Sequence, residues 1–177
     1  MISRIGRKVA VTAVSALTLS GAAAFAAQSP AFASEFTATY SCSIPIVGTE
    51  SITVDGALTA TPNPATAGSP VSFDFSIASL SLTSPLTINS WSATADVAGS
   101  GAESSSFQVT GSGGSIPAGQ SITNANLTGS WTPTTSGTDT FEFGDITINA
   151  NVVLLGNVTA PCTPTGTQPT AETLTVS

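Results

Sequence analysis

Val71-Ser72-Phe73-Asp74-Phe75-Ser76-Ile77 sets four apolar side chains on one face of an extended chain and Ser72, Asp74 and Ser76 on the other. A period of two is the mark of a strand with one face buried and one in water. The alternation resumes one step out of phase at Leu80-Ser81-Leu82, which predicts a bulge near Ala78 and Ser79. Working outward, Trp91, Ala93, Ala95 and Val97 read as the inward face of another strand. Phe107 with Val109, and Leu127 with Gly129 and Trp131, read as two more. Phe141 and Phe143 alternate, Gly144 and Asp145 interrupt, and Ile146, Ile148, Ala150, Val152 and Leu154 continue as one long strand toward Cys162. Phe36 to Cys42 and Ser51 to Leu58 show the same alternation on the N-terminal side.

Between these runs, Thr61-Pro62-Asn63-Pro64-Ala65-Thr66-Ala67-Gly68 reads as a turn, because its prolines and glycine do not suit a central strand. Gly99 to Ser106 and Gly111 to Gly119 are rich in glycine and serine and read as mobile loops. No segment after residue 33 repeats apolar residues at helical spacing. The expected fold is all-β, a single immunoglobulin-like two-sheet β-sandwich over residues 34–162. Residues 163–177 carry both linker-like prolines and an alternating Leu174 and Val176, so a weakly ordered tail or an edge strand is expected there.

Two cysteines in an exported chain pair most simply with each other, and a Cys42–Cys162 disulfide is expected. It would clasp the terminal strands, whereas an immunoglobulin domain pins its second strand to its sixth. The likeness to that fold is therefore one of architecture.

Export itself is read from the first 33 residues, where Arg4, Arg7 and Lys8 precede an apolar run from Val9 to Ala27 and then Ala31-Phe32-Ala33. These features predict a cleaved signal peptide, residues 1–33, rather than a membrane anchor. No cysteine directly follows the apolar run, as a lipoprotein requires, and no L-P-x-T-G-like sequence lies between Cys162 and Ser177. The expected location is secreted, with non-covalent attachment to the cell envelope as the other form.

All three basic residues of the chain belong to that leader, and there is no histidine. From Ser34 onward ten carboxylates face no cation, a formal charge of −10. Nucleic acid is excluded as a partner, because its binding relies on Lys and Arg at the phosphates. An anionic membrane surface is excluded for the same reason. About a third of the residues from Ser34 on are Ser or Thr, giving a hydroxyl-coated rather than an ionic exterior.

The missing histidine and lysine also remove the bases that activate nucleophilic Ser or Cys, and the imidazole ligands of zinc centres. Glycoside hydrolysis needs only two carboxylates, and Asp139, Glu142 and Asp145 form the densest acidic group. With Phe141 and Phe143 turned to the core, however, Glu142 faces water and its neighbours fall at turns, so a solvated role is expected. Calcium has no loop of suitable spacing. No cofactor and no catalytic residue is assigned. Trp91 and Trp131 could stack on a sugar, but at alternating apolar positions they read first as core.

Tyr40-Ser41-Cys42, then Pro45 and Gly48, the Pro-x-Pro turn leading to Gly68, and the closing Cys162 together resemble an uncharacterised domain of secreted actinobacterial proteins. The resemblance covers Tyr40 to Cys162 and implies export and a disulfide-closed β domain, with no assigned activity. The expected function is a non-enzymatic extracellular interaction module with a protein or glycan partner. The alternatives are a carrier holding an apolar small molecule between its sheets and a carbohydrate-binding module. A further expectation concerns assembly: no Lys is available to blunt exposed sheet edges, so strands could pair between chains.

Overall fold

A computed structural model describes residues 34–177; the expected signal peptide lies outside the described residues. Nine strands account for most of the described chain, and none of it is helical. They are β1 (Ser34–Ile44), β2 (Gly48–Thr61), β3 (Val71–Thr83), β4 (Ile88–Gly101), β5 (Ser105–Gly113), β6 (Ser121–Trp131), β7 (Gly137–Val152), β8 (Gly156–Pro164) and β9 (Glu172–Val176).

The strands do not form two sheets. They run in the order β4-β5-β6-β3-β2-β1-β8-β7, and β7 then pairs with β4. The result is a closed antiparallel barrel of eight strands, and the immunoglobulin-like sandwich expected from the sequence is corrected accordingly. The decisive contact is the long β4–β7 ladder, which runs from Ile88 opposite Val152 to Gly101 opposite Asp139. A sandwich leaves edges in each sheet, whereas this ladder joins what would have been the two ends of one.

Closure requires strands to bend, and bulges in β3 and β7 are among the irregularities that allow it. In β3 the residue opposite Asp55 is Ser79 and the residue opposite Gly56 is Ile77, so Ala78 is the extra residue that the sequence phase shift predicted. In β7 Phe143 lies opposite Val97 and Ile146 opposite Ala95, which places Gly144 and Asp145 across from Asp96. The interruption read after Phe143 is therefore a bulge within one strand.

Two seams of the ring are short. Strands β5 and β6 share a single register pair, Thr110 with Thr128. Glycine makes that crossing possible: a Cβ at Gly111 would collide with the Asn126 carbonyl, and one at Gly129 with the Gln108 carbonyl. Strands β1 and β8 share three pairs, ending at Cys42 opposite Cys162. The expected disulfide joins those two residues, with Cα atoms 3.9 Å apart.

Other expectations change in extent. Gly99 to Ser106 and Gly111 to Gly119 are not loops throughout, since β4 runs to Gly101 and β5 from Ser105 to Gly113. The run from Ile146 to Leu154 is not one strand leading on to Cys162. It breaks at Val153-Leu154-Leu155 into the β7–β8 hairpin. Strand β9 pairs with the first half of β7, from Gly137 to Phe141, below the stretch that β8 occupies. Its end is held by Ala65, whose N–H donates to the Thr175 carbonyl at 2.8 Å.

The barrel is filled, with different side chains at its two ends. Toward the floor, where the β2–β3, β4–β5 and β6–β7 loops lie, aromatic rings pack in two groups, Phe36 with Phe75 and Phe143, and Phe73 with Phe107, Phe141 and Trp131. Ring centroids there are as close as 4.2 Å, for Phe75 and Phe143. Toward the mouth, where the β1–β2, β3–β4, β5–β6 and β7–β8 hairpins turn, the filling is aliphatic, with Ile52, Val54, Ile77, Leu80 and Ile146 buried.

Candidate functional site at the barrel mouth

The acidic group does not assemble into a site. Alternation along β7 buries Asp139 completely on the inner side and exposes Glu142 on the outer side, and Asp145 is exposed in the bulge. Asp139 and Asp145 are six residues apart on one strand, about 20 Å at strand rise. Paired glycosidase carboxylates sit at about 5–9.5 Å. Asp139 accepts the Glu103 N–H through Oδ1 at 3.0 Å, and its Oδ2 has no partner. Among the described residues no three His, Cys, Asp or Glu side chains are grouped to hold a metal.

The two tryptophans are also apart. Trp91 pairs across β4–β7 with Ala150, while Trp131 packs on Phe141 with ring centroids 5.6 Å apart. Nine residues of β7 separate those positions, roughly 30 Å along the strand. They cannot form one sugar-stacking platform, and both pack against the core.

Other titratable groups serve structure. Asp55 accepts hydrogen bonds from Thr37 and Ser79 on the outer surface, which hold its carboxyl below the usual range. Glu103 is held low in the same way by Thr134, which donates through both hydroxyl and backbone. Burial raises Glu172, whose Oε1 and Oε2 accept the N–H groups of Thr173 and Ala60. The Tyr40 phenol is buried without a hydrogen-bond partner, and burial, followed by the nearby charge of Asp145, pushes it up to about 12.

The mouth is chemically distinct from the rest of the barrel. Just inside it, a wholly apolar void of about 20 Å³ is lined by residues including Ile52, Leu80, Trp91, Ala93 and Ile122. That is room for about one water molecule. A carrier needs several hundred Å³ for its ligand. On the side, the short β5–β6 seam leaves an open groove of about 780 Å³ beside Trp91, rimmed by Gln120, Asn124 and Asn126. The Trp91 indole lies over Gly113, where any Cβ would collide with the ring.

Beyond the mouth stand two hairpin tips. Pro45-Ile46-Val47 joins β1 to β2, and Val153-Leu154-Leu155 joins β7 to β8. Both tips lie on the mouth side of the disulfide: from the Cys42–Cys162 pair, Ile46 is four residues on along β1 and Leu154 eight residues on along β8. Ile46 is 81% exposed and Leu154 90%, and Val47, Val153 and Leu155 are also exposed. These five are the exposed large aliphatic residues among the described ones. Both tips also carry a non-glycine residue at positive φ, 72° at Ile46 and 71° at Leu154. A branched side chain there is strained, most of all β-branched Ile, where Gly or Asn would not be.

The ground around the tips is neutral. Within the four mouth loops and the five strand residues on either side of each, Glu50 is the single carboxylate out of ten. Amides and hydroxyls take the charges' place: Asn89 donates to Asn151 at 2.8 Å, Asn151 to Asn157 at 2.8 Å, and Thr159 to Asn149 at 2.7 Å. The sequence does not mark this site: Val153-Leu154-Leu155 reads as strand, and Pro45, Gly48 and Gly156 hint at turns without pointing to a contact.

Compared with known proteins, the chain matches no protein-family profile and no curated sequence.

Proposed function

We propose that this chain is an exported, non-enzymatic binding module that engages its partner through the mouth of the barrel. The observation that carries the reading is the confinement of the exposed large aliphatic residues to two hairpin tips at one end of the barrel. Single exposed apolar residues are ordinary, but a cluster on strained turns in an otherwise hydroxyl-coated surface points to contact. Export is supported by the buried disulfide, which belongs to oxidising compartments. The resemblance of Tyr40 to Cys162 to secreted actinobacterial domains without assigned activity agrees with this reading. The small inner void weighs against a carrier.

The test is Ile46→Asn combined with Leu154→Asn. Asn tolerates positive φ, so the double variant relieves strain while removing the apolar contact. It is expected to fold with unchanged or higher stability and to be released from the envelope fraction of the producing cells. Unchanged retention would refute the proposal.

A second reading, a neutral glycan in the groove beside Trp91, rests on the amide rim formed by Gln120, Asn124 and Asn126. It requires saturable glycan binding, measured by calorimetry, that Trp91→Ala removes.

A further inference from the structure

We infer that the partner of the mouth is an uncharged lipid layer into which the two hairpin tips dip. The inference rests on the mouth-binding reading and adds to it the chemistry of the occupant. Three observations narrow that chemistry.

The first is shape and area. The exposed aliphatic residues sit on two projecting turns rather than on a flat or concave face. Five side chains at these exposures offer a few hundred Å², roughly, against about 800 Å² per partner in a stable protein complex. A second copy of the chain, meeting tip to tip, would bury no more than that on each side. A hydrocarbon layer needs no complementary surface, because each inserted side chain gains its transfer free energy independently.

The second is the sequence of polarity along the barrel axis. Along the β7–β8 hairpin the aliphatic tip comes first, then the amide and hydroxyl belt of Asn149, Asn151, Asn157 and Thr159 with Asn89 beside it, and the carboxylates lie mostly beyond. Leu154 would reach hydrocarbon first while the belt sat among headgroups, which donate and accept hydrogen bonds, and Ile46, four residues nearer the disulfide, would meet the interface behind it. Interfacial segments arrange their polarity in this order and bury their apolar part by about 5–10 Å.

The third is charge. A chain with ten carboxylates and no cation after residue 33 is repelled by an anionic surface. Asp139 and Glu142, near the floor, lie ten or more residues of β7 from Val152 at the mouth, roughly 30 Å along a strand, about three Debye lengths at 0.1 M salt. With Glu50 alone close to the tips, docking mouth-first onto a neutral layer brings almost no charge to it.

The experiment is vesicle flotation of the exported chain with phosphatidylcholine vesicles, and with vesicles containing phosphatidylglycerol. The wild-type chain is expected to float with the neutral vesicles, and Ile46→Asn with Leu154→Asn to reduce the bound fraction at least tenfold. Binding to the anionic vesicles should be weaker at low salt and recover as salt rises. No flotation, with the double variant still released from the envelope, would overturn the lipid assignment while leaving mouth binding in place with a protein partner. A concentration-dependent dimer that the double variant dissolves, without flotation, would overturn it in favour of a second copy. Retention unaffected by the double variant, without flotation, would refute both readings.

Discussion

Removing the disulfide by Cys42→Ala with Cys162→Ala tests whether the bridge staples a weak seam of the barrel. Alanine is the appropriate replacement because both cysteines are buried and a serine hydroxyl there would need a partner. The bridge closes a loop of sequence separation 120, and β1 and β8 are otherwise joined by three register pairs. Chain entropy alone assigns a loop of that length about 5 kcal/mol, the upper end of what disulfides deliver. At about 2.1 cal/mol/K per residue, the 144 residues from Ser34 to Ser177 give an unfolding entropy of about 0.3 kcal/mol/K, so Tm should fall by roughly 15 °C. Calorimetry at equal concentration reads the shift. Hydrogen exchange should show the loss of protection concentrated at Tyr40–Cys42 and Cys162–Pro164. A fall of less than about 3 °C, or exchange that rises evenly around the ring, would refute the staple.

Phe75→Ala opens a cavity in the aromatic floor between Phe36 and Phe143 and should cost about 3–5 kcal/mol in urea denaturation, with the m-value unchanged. Gly129→Ala drives a methyl group into the Gln108 carbonyl at the β5–β6 crossing and should cost about 1–3 kcal/mol, whereas Gly114→Ala, with open space around it, should be nearly neutral. Tyr40 is the chain's single tyrosine, so absorbance titration reads it alone; the native midpoint should lie near 12 rather than 10, and one near 10 would refute its burial. For that phenol the folded pKa is the higher one, so stability is constant below about pH 10 and falls as pH rises from 10 toward 12. Glu172 follows the same sign: its folded pKa is raised, so its contribution is greatest below the usual carboxylate range and declines as pH rises through the folded value. Exchange protection of β9 should therefore be higher at pH 4 than at pH 7.

Strand content was legible because alternation has one meaning at each buried position, and the bulge at Ala78 was legible because a bulge shifts the phase. Closure was not legible. An inward face looks the same whether it meets a second sheet or the far wall of a barrel, so Phe73, Phe75 and Phe141 carry no signal that separates the two. What decides is the pairing of β4 with β7, a contact between strands about 50 residues apart with no local mark. One composition signal did point the right way once inverted. A β protein with no lysine on its edges is at risk only where it has edges, and the closed ring confines them to the short β5–β6 and β1–β8 seams and to β9. The expectation of edge-to-edge assembly, which rested on the missing lysines, is narrowed by closure to those edges.

The mouth was missed for a different reason. Turns are usually announced by Asn, Asp, Gly or Pro, and Ile46 and Leu154 occupy left-handed positions where those residues are the low-energy choice. Local propensity pulls Val153-Leu154-Leu155 toward strand and the barrel holds it as a turn, so local and global preferences disagree there. Such disagreement concentrates at sites kept for something other than stability. At Ala78 and at Gly144-Asp145 the local irregularity lies in strands that bend as the ring closes. At the two tips Ile46 and Leu154 are 81% and 90% exposed, so burial within the chain rewards them little, and the contact proposed at the mouth is what would reward them.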